Sequence, residues 1–355
     1  MPVLLQLIGT GLVSIALADI FLTVLHPRSE SNLLSIPVAR MLWHVFRWLA
    51  QGSPKRHDRI LSYGGPTIMV TLIGVWVLLM LIGFALIVWP GLGTGIQAEQ
   101  GVTPTDFATA LYYAGFALGT LGTGDLVPQT TPYRLLIVLK SLLGFSAFTL
   151  VLSYVLSVYQ ALTRRNTFAL SLHHRTADTA DSAVLLARLA AGNDASLHRD
   201  ISDIAKDLMN LLEFNNSYPL LLYFRYRQTY YALPRIVYLA IDTASLINSA
   251  LDAEQYGAVA NSAGAAELWY GGMHLVRELD QSIASERRGL SPAPAELLWQ
   301  EHYYQALEIL RKNGVKTIDN PTSGAETYLS MRQKWAPCLA QLIKYMDYTP
   351  SQIHS

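Results

Sequence analysis

Three stretches of the chain are almost wholly apolar, and the remainder alternates polar and apolar positions at helical spacing. Gly64 to Trp89 (GGPTIMVTLIGVWVLLMLIGFALIVW) holds no charged residue, and Leu135 to Tyr159 holds one, Lys140. At about 1.5 Å per residue, each is long enough for the roughly 30 Å hydrocarbon core of a bilayer. Pro2 to Leu25 is a third such stretch, with a single charge at Asp19. It lacks a basic leader and a small-residue cleavage site, so it reads as a retained membrane helix and not as a signal peptide.

Between the first two stretches, Leu33 to Ala50 sets Arg40, His44 and Arg47 on one stripe, with Trp43, Phe46, Trp48 and Leu49 on the rest. That is the pattern of an amphipathic helix lying at the inner membrane surface, the alternative being a packed cytosolic helix. From Thr163 to Ser355, helical periodicity recurs in Ala183 to Leu189, Ile201 to Leu212, Ile236 to Leu251 and Leu297 to Leu310. Breaks fall at Gly192, Pro219, Pro234, Ser291 to Pro294 and Pro321. About six to eight helices and no strand are expected in this part.

Composition supports the membrane reading: 15% of residues are charged and 51% hydrophobic, far from the balance of an ordinary soluble domain. Formal net charge is zero, so nothing points to nucleic acid as a partner. The distribution of charge is more informative. His26 to Tyr63 carries Arg28, Arg40, Arg47, Lys55, Arg56 and Arg59 against Glu30 and Asp58. Arg164 and Arg165 follow the last apolar stretch, whereas Pro90 to Pro132 carries Glu99, Asp106 and Asp125 and no lysine or arginine. The positive-inside rule then places the N-terminus outside, residues 26–63 and 164–355 in the cytoplasm, and the Pro90 to Pro132 connection outside a multi-pass protein of the cell's inner (plasma) membrane. Cys338, the lone cysteine, has no internal disulfide partner and is expected to be a buried small residue.

The outer connection is not a plain linker. Asp106 to Leu118 (DFATALYYAGFAL) is too apolar for water, with Thr105 or Asp106 placed to cap a short helix that ends at Gly119. The sequence TLGTGD, Thr120 to Asp125, follows at membrane depth, where irregular backbone is tolerated only if protein buries it or it lines a watery path.

Read together, ALYYAGFALGTLGTGD resembles the pore helix and filter of the pore-loop potassium channels, and the resemblance extends from Gly64 to Leu162. It implies a tetrameric, potassium-channel-like pore domain; with the helical periodicity of the tail, the expected fold is an all-α membrane protein with that pore domain and an α-helical cytoplasmic domain. Carried over by position, Thr120, Leu121, Gly122 and Thr123 offer carbonyls to dehydrated K+, with the Thr120 hydroxyl adding an inner ring. Gly122 and Gly124 supply backbone freedom, and Asp125 supplies a ring of negative charge at the mouth. Four copies close the ring, so a homotetramer in membrane lipid is implied. Gly144 falls where this family often has an inner-helix hinge. Phe145, Phe148, Leu152 and Leu156 share one helix face, read as a cavity wall and gate or else as ordinary helix packing.

Two departures stand out. The family has an aromatic where this chain has Thr123, and commonly threonine where it has Gly119. The aromatic normally braces the carbonyl ring from outside; Tyr112 and Tyr113 either supply part of that packing or serve as interfacial aromatics. The expected function is passive conduction of K+. The alternatives are a weakly selective cation channel and a non-conducting receptor or scaffold.

Lys140 is expected to snorkel or occupy a watery niche behind the filter, or else to pair with Asp125 or a backbone carbonyl. Asp19 is expected in a solvated position near the cytoplasmic end of its helix. His173, His174 and Arg175 read as a solvated linker, the alternative being a sensor of pH or phosphate. Asp200, Asp203 and Asp207 read as a solvated acidic face, without the loop spacing a divalent cation requires. The tyrosine-rich stretch from Tyr218 to Tyr238, with Arg225, Arg227 and Arg235, reads as core and oligomer interface, the alternative being a ligand site. No Gly-rich strand-to-helix turn marks a Rossmann-type nucleotide site, and no nucleophile–base pair suggests an enzyme. No cofactor is expected beyond K+ in the filter, and any ligand of the cytoplasmic domain is unassigned. The domains expected are residues 1–62 (membrane helix and interfacial helix), 63–163 (pore) and 164–355 (cytoplasmic helices).

Overall fold

The computed structural model describes residues 2–26, 33–52, 56–284 and 296–354. The basic residues Arg28 and Lys55, Glu30, and the break expected at Ser291 to Pro294 lie outside the described residues. Among the described residues, three helices are long and apolar enough to cross a membrane: Pro2–Leu25, His57–Gly91 and Thr131–Arg175. The chain is an all-α membrane protein. It divides into two compact units, the first comprising residues 1–46 and 66–159, the second residues 47–65 and 160–355.

In the first unit, α1 (Pro2–Ile20) continues through a π-helical turn at Phe21–Leu25 and packs on α4 (Gly64–Val88). Their backbones meet at Gly9 and Gly83, where each would-be Cβ runs into the other's carbonyl oxygen. Small residues at such crossings let apolar helices gain contact where the hydrophobic effect offers nothing. Beyond α4, strands β1 (Ile96–Ala98) and β2 (Leu126–Pro128) pair antiparallel on either side of the short helix α5 (Phe107–Leu118), and α6 (Thr131–Arg175) follows.

Asp19 is not solvated, contrary to the sequence expectation. It is fully buried and accepts hydrogen bonds from the Leu34 N–H (2.8 Å), the Ser35 hydroxyl (2.6 Å) and the Trp76 indole N–H (2.7 Å). A carboxylate at the start of α2 (Ser35–Gln51) satisfies orphan amides and favours the positive end of that helix. One side chain on α1 therefore positions α2 and α4 together. The apolar residues of α2 divide between two faces: Trp43 and Ala39 are buried, whereas Met41, Val45, Trp48 and Leu49 are exposed along one side.

In the second unit, helices start where side chains cap them. Asp181 opens α7 (Ser182–Ala190), Asn193 opens α8 (Asp194–Ser217), Asp252 opens α10 (Ala253–Ala260), Ser262 opens α11 (Ala263–Ser282), and Asn320 opens α13 (Pro321–Tyr345). Helix α9 (Leu233–Ser249) is buried almost all round by α7, α11 and α13; α12 (Glu296–Lys312) and α14 (Pro350–His354) complete the layer. The helical expectation for this part is met, and an isolated bridge between Leu251 and Thr317 is its only strand-like pairing among the described residues.

Asp242 lies at the centre of α9, fully buried. Its carboxylate accepts from the Tyr328 hydroxyl (2.6 Å), from Arg332 (3.3 Å) and from Ser182, and lies 3.2 Å from His302 Nε2. Burial opposes its ionisation, but the Arg332 guanidinium and the His302 and Ser182 hydrogen bonds outweigh burial and hold the carboxyl below its ordinary range. Arg332 is itself enclosed by the rings of Tyr238, Trp299, Tyr328 and Trp335.

The segment that leads into α4, with the short helix α3 (His57–Ser62), belongs to this second unit. Asp58 pairs with buried Arg225 (2.6 Å), and His57 lies 3.0 Å from Asp347. Arg165 on α6 donates to the carbonyls of Leu221 and Phe224 (3.0 and 2.8 Å). Much of the tyrosine-rich stretch is therefore core, as expected, with two of its basic residues, Arg225 and Arg235, drawn inward. His173 and His174 lie within α6 and not in a linker: His173 stacks on Tyr230 with ring centroids 4.5 Å apart, while His174 is exposed as expected. Asp203 and Asp207 are exposed as expected, while Asp200 pairs with Arg175. Cys338 is half-buried rather than fully buried.

Two outcomes follow. Asp19→Ala leaves the Leu34 and Trp76 donors without an acceptor, at roughly 1–3 kcal/mol for each buried group left unpaired, and leaves the Ser35 hydroxyl only Thr23. The variant melts below the parent in detergent; equal melting temperatures would show that water replaces the carboxylate. The native pKa of Asp242 lies below its unfolded value of about 3.9, so its stabilisation is complete above that value and is lost as pH falls toward the native one. The stability gap between parent and Asp242→Asn, read from denaturant midpoints, narrows below about pH 4. A gap independent of pH would remove the ion pair from the account.

Candidate functional site: a pore helix and a strained loop

Helix α5 begins where the sequence places it. The Asp106 carboxylate accepts from the Thr109 N–H and hydroxyl, both at 2.9 Å. The Trp89 indole donates to the Thr105 carbonyl, and its ring meets Phe107 edge-on. Ile96, Gln97 and Ala98 pair with Pro128, Val127 and Leu126, which brings the two ends of the connection together and leaves α5 and the loop after it as a closed excursion.

The chain leaves α5 through its last carbonyls. Gly119 N–H donates to Gly115, Thr120 N–H to Ala117 and Leu121 N–H to Phe116. Thr120, Gly122 and Gly124 then take positive φ (54°, 61° and 80°), whereas Leu121 and Thr123 between them do not. Such alternation lets successive carbonyls turn to one side, where a regular strand would point them alternately. Gly122 and Gly124 adopt these angles freely, but a β-branched residue at φ 54° is strained by about 1–3 kcal/mol, a cost usually found at functional sites. Every residue from Gly119 to Asp125 is exposed in the single chain, Leu121 to 74%. The Thr123 hydroxyl donates to Asp125 at 2.5 Å. That bond holds the Asp125 carboxyl below its ordinary range.

Behind the loop, Tyr113 is buried and meets Phe116 edge-on, while Tyr112 is 46% exposed. Lys140 takes the backbone-carbonyl option of those expected for it. It is fully buried, its Nζ donates to the Tyr113 carbonyl at 3.2 Å and stands 4.2 Å from the Tyr113 ring centroid, and no salt bridge among the described residues includes it. Ser141, which sequence reading overlooked, donates to the Ala117 carbonyl at 3.1 Å. A serine beside the only lysine of an apolar helix was the available signal.

Gly144 sits against the end of α5: a Cβ there would lie 2.6 Å from the Leu118 carbonyl oxygen. Helix α6 is unbroken through this point. Phe145, Phe148, Leu152 and Leu156 are all exposed along α6, and only 11% of its most apolar window is buried, against 33% for each of the other two candidate spans. Thr149, Ser153 and Ser157 turn their hydroxyls back onto the carbonyls four residues earlier, so they need no outside acceptor. Among the described residues no cluster of His, Cys, Asp and Glu could hold a metal ion.

Two long apolar helices thus flank a short capped helix and a loop with alternating φ. Residues 67–161 match the protein-family model described as ion channel, nearly the range expected from the resemblance. The chain is also 27% identical over 172 residues to a protein of Bacillus subtilis (strain 168) named "Uncharacterized membrane protein YdjJ". That alignment covers 47% of this chain and 48% of the relative, so the chain spans about half the length of the curated relative it matches. No solved structure matches.

Gly144→Val forces α6 away from Leu118, since two additional methyls have no room beside that carbonyl. A lowered melting temperature in detergent is the expected result. A variant that melts like the parent would show that close approach at Gly144 is dispensable.

Proposed function

We propose that the protein conducts K+ passively through a fourfold pore whose filter runs from Thr120 to Asp125. The alternating φ of Thr120, Gly122 and Gly124, bought at the expense of strain in a threonine, is the observation that carries this reading. A dehydrated cation needs oxygens in place of water, and carbonyls turned to one side supply them without a fixed charge that would trap it. One loop cannot encircle an ion. The bare surface of α6, with Phe145, Phe148, Leu152 and Leu156 exposed, supports assembly of copies around a shared axis, with that face lining the inner cavity and gating it by dewetting. The C-terminal end of α5 contributes negative potential toward the same axis.

The charge bias of the connections supports an orientation with the filter's mouth and the N-terminus outside the cell's inner membrane and residues 164–355 in the cytoplasm. The bare side of α2, Met41, Val45, Trp48 and Leu49, suits a bilayer interface.

A weakly selective cation channel is the second reading, and Thr123 is the observation that favours it. Its hydroxyl is engaged by Asp125, and its side chain is too short to brace the ring.

Purified full-length protein in liposomes, assayed for K+ and Na+ flux, tests both readings. K+ flux that exceeds Na+ flux and disappears in an assembled Gly122→Ala variant is expected, because alanine is strained at φ 61°. Undiminished flux in that variant would remove the filter assignment. Equal K+ and Na+ flux in the parent, with K+ preference appearing in Thr123→Tyr, would establish the second reading in place of the first. About 1.4 kcal/mol of difference between the ions is enough for a tenfold ratio.

A further inference from the structure

The filter loop lacks an aromatic brace, yet its backbone holds a strained conformation, so something else must fix it. Every amide that carries the chain out of α5, those of Gly119, Thr120 and Leu121, hangs on a carbonyl in the last turns of that helix. Whatever holds those turns holds the entry to the filter.

The face of α6 that meets these turns carries Lys140, Ser141 and Gly144 in a row. Gly144 allows contact with Leu118, Ser141 donates to Ala117, and Lys140 donates to Tyr113 while its ammonium lies over the Tyr113 ring. Lysine is an expensive choice here. Its charge is fully buried within an apolar helix, and no carboxylate among the described residues pairs with it. What it has are the Tyr113 backbone carbonyl and the π-face of the same residue's ring. A hydrogen bond from a charged donor is worth more than one from a neutral donor, and in hydrocarbon there is no water to substitute for it.

Resting on the channel reading, we infer that Lys140 is the brace of the filter: a positioning residue that pins α5 to α6 at Tyr113 and so sets how well the pore discriminates K+ from Na+. It contacts no ion. It acts through α5, with Ser141 as the weaker second pin, and it does from behind what a large side chain at position 123 would do from beside the ring. Thr123 is then free to hydrogen-bond Asp125.

Permeability ratios in liposomes made from the full chain test this inference. Lys140→Met keeps the length and volume of the side chain and removes the donor and the charge. The expected result is an assembled, conducting variant whose K+-to-Na+ ratio falls by about fivefold, the effect of roughly 1 kcal/mol. Lys140→Arg, which keeps a charged donor, retains a higher ratio than Lys140→Met, a recovery that packing alone does not predict. Where Lys140→Met fails to assemble, Ser141→Ala decides: it removes only the Ala117 hydrogen bond and lowers the ratio in the same direction by a smaller factor. An unchanged ratio in whichever of these assembles overturns the brace, as does loss of assembly in both, which would make the pair a folding element only. A parent that passes neither cation sinks the channel reading itself, an outcome distinct from a conducting parent with an indifferent Lys140.

Discussion

The carbonyls at the C-terminal end of α5 are the constraint on which the pore region depends. A helix leaves its last four carbonyls without partners of its own, and inside a bilayer water cannot supply them. In this chain the loop after α5 takes those of Gly115, Phe116 and Ala117, through the amides of Gly119, Leu121 and Thr120; Ser141 of α6 reaches the Ala117 oxygen from behind, and Lys140 reaches the Tyr113 carbonyl a turn earlier. The Ala117 oxygen therefore ties the start of the loop to the packing of the long helix. Gly144 is required because this arrangement brings α6 onto Leu118 with no space for a side chain.

Buried charge is used in three places for the same purpose. Asp19 joins α1, the start of α2 and Trp76 of α4; Lys140 joins α6 to α5; Asp242 joins α9 to α7 and to Tyr328 and Arg332 of α13. Each group is costly to bury and each is met by several directional partners, so the elements it touches have one satisfactory arrangement. Apolar helices in lipid slide past one another easily, because lipid tails satisfy their surfaces as well as protein does. A buried charge restricts that sliding. Asp242 lies in the second unit instead, where removing one partner of the cluster leaves an uncompensated charge in the core.

The second unit extends this logic to the chain segments entering and leaving the membrane helices. Arg225 holds Asp58 just before α4, and Arg165 toward the C-terminal end of α6 is held by carbonyls of residues 221 and 224. Both bonds converge on one short stretch, Leu221 to Arg225. A change in that stretch reaches the start of one membrane helix and the end of another through direct hydrogen bonds.

The amino-acid sequence by itself determined the membrane helices, the cap at Asp106, the helical character of residues 164–355 and the loop with its two glycines, because these depend on local properties: apolar run length, side chains that cap amides, and residues that permit positive φ. It also marked Lys140 as out of place. It did not determine what Lys140 touches, since a lysine in an apolar run is equally compatible with snorkelling and with a buried hydrogen bond; only the approach of α5 supplied the Tyr113 carbonyl and ring. Asp19 was misread for the same reason. Its position near a helix end suggested water, but Trp76, distant in sequence, and the returning residues Leu34 and Ser35 close over it. Asp242 was invisible among other acidic residues, because its partners come from three helices whose side-by-side placement no local pattern encodes. Periodicity along a chain records which face of a helix avoids water; which donors arrive opposite a buried charge is settled only when the helices pack.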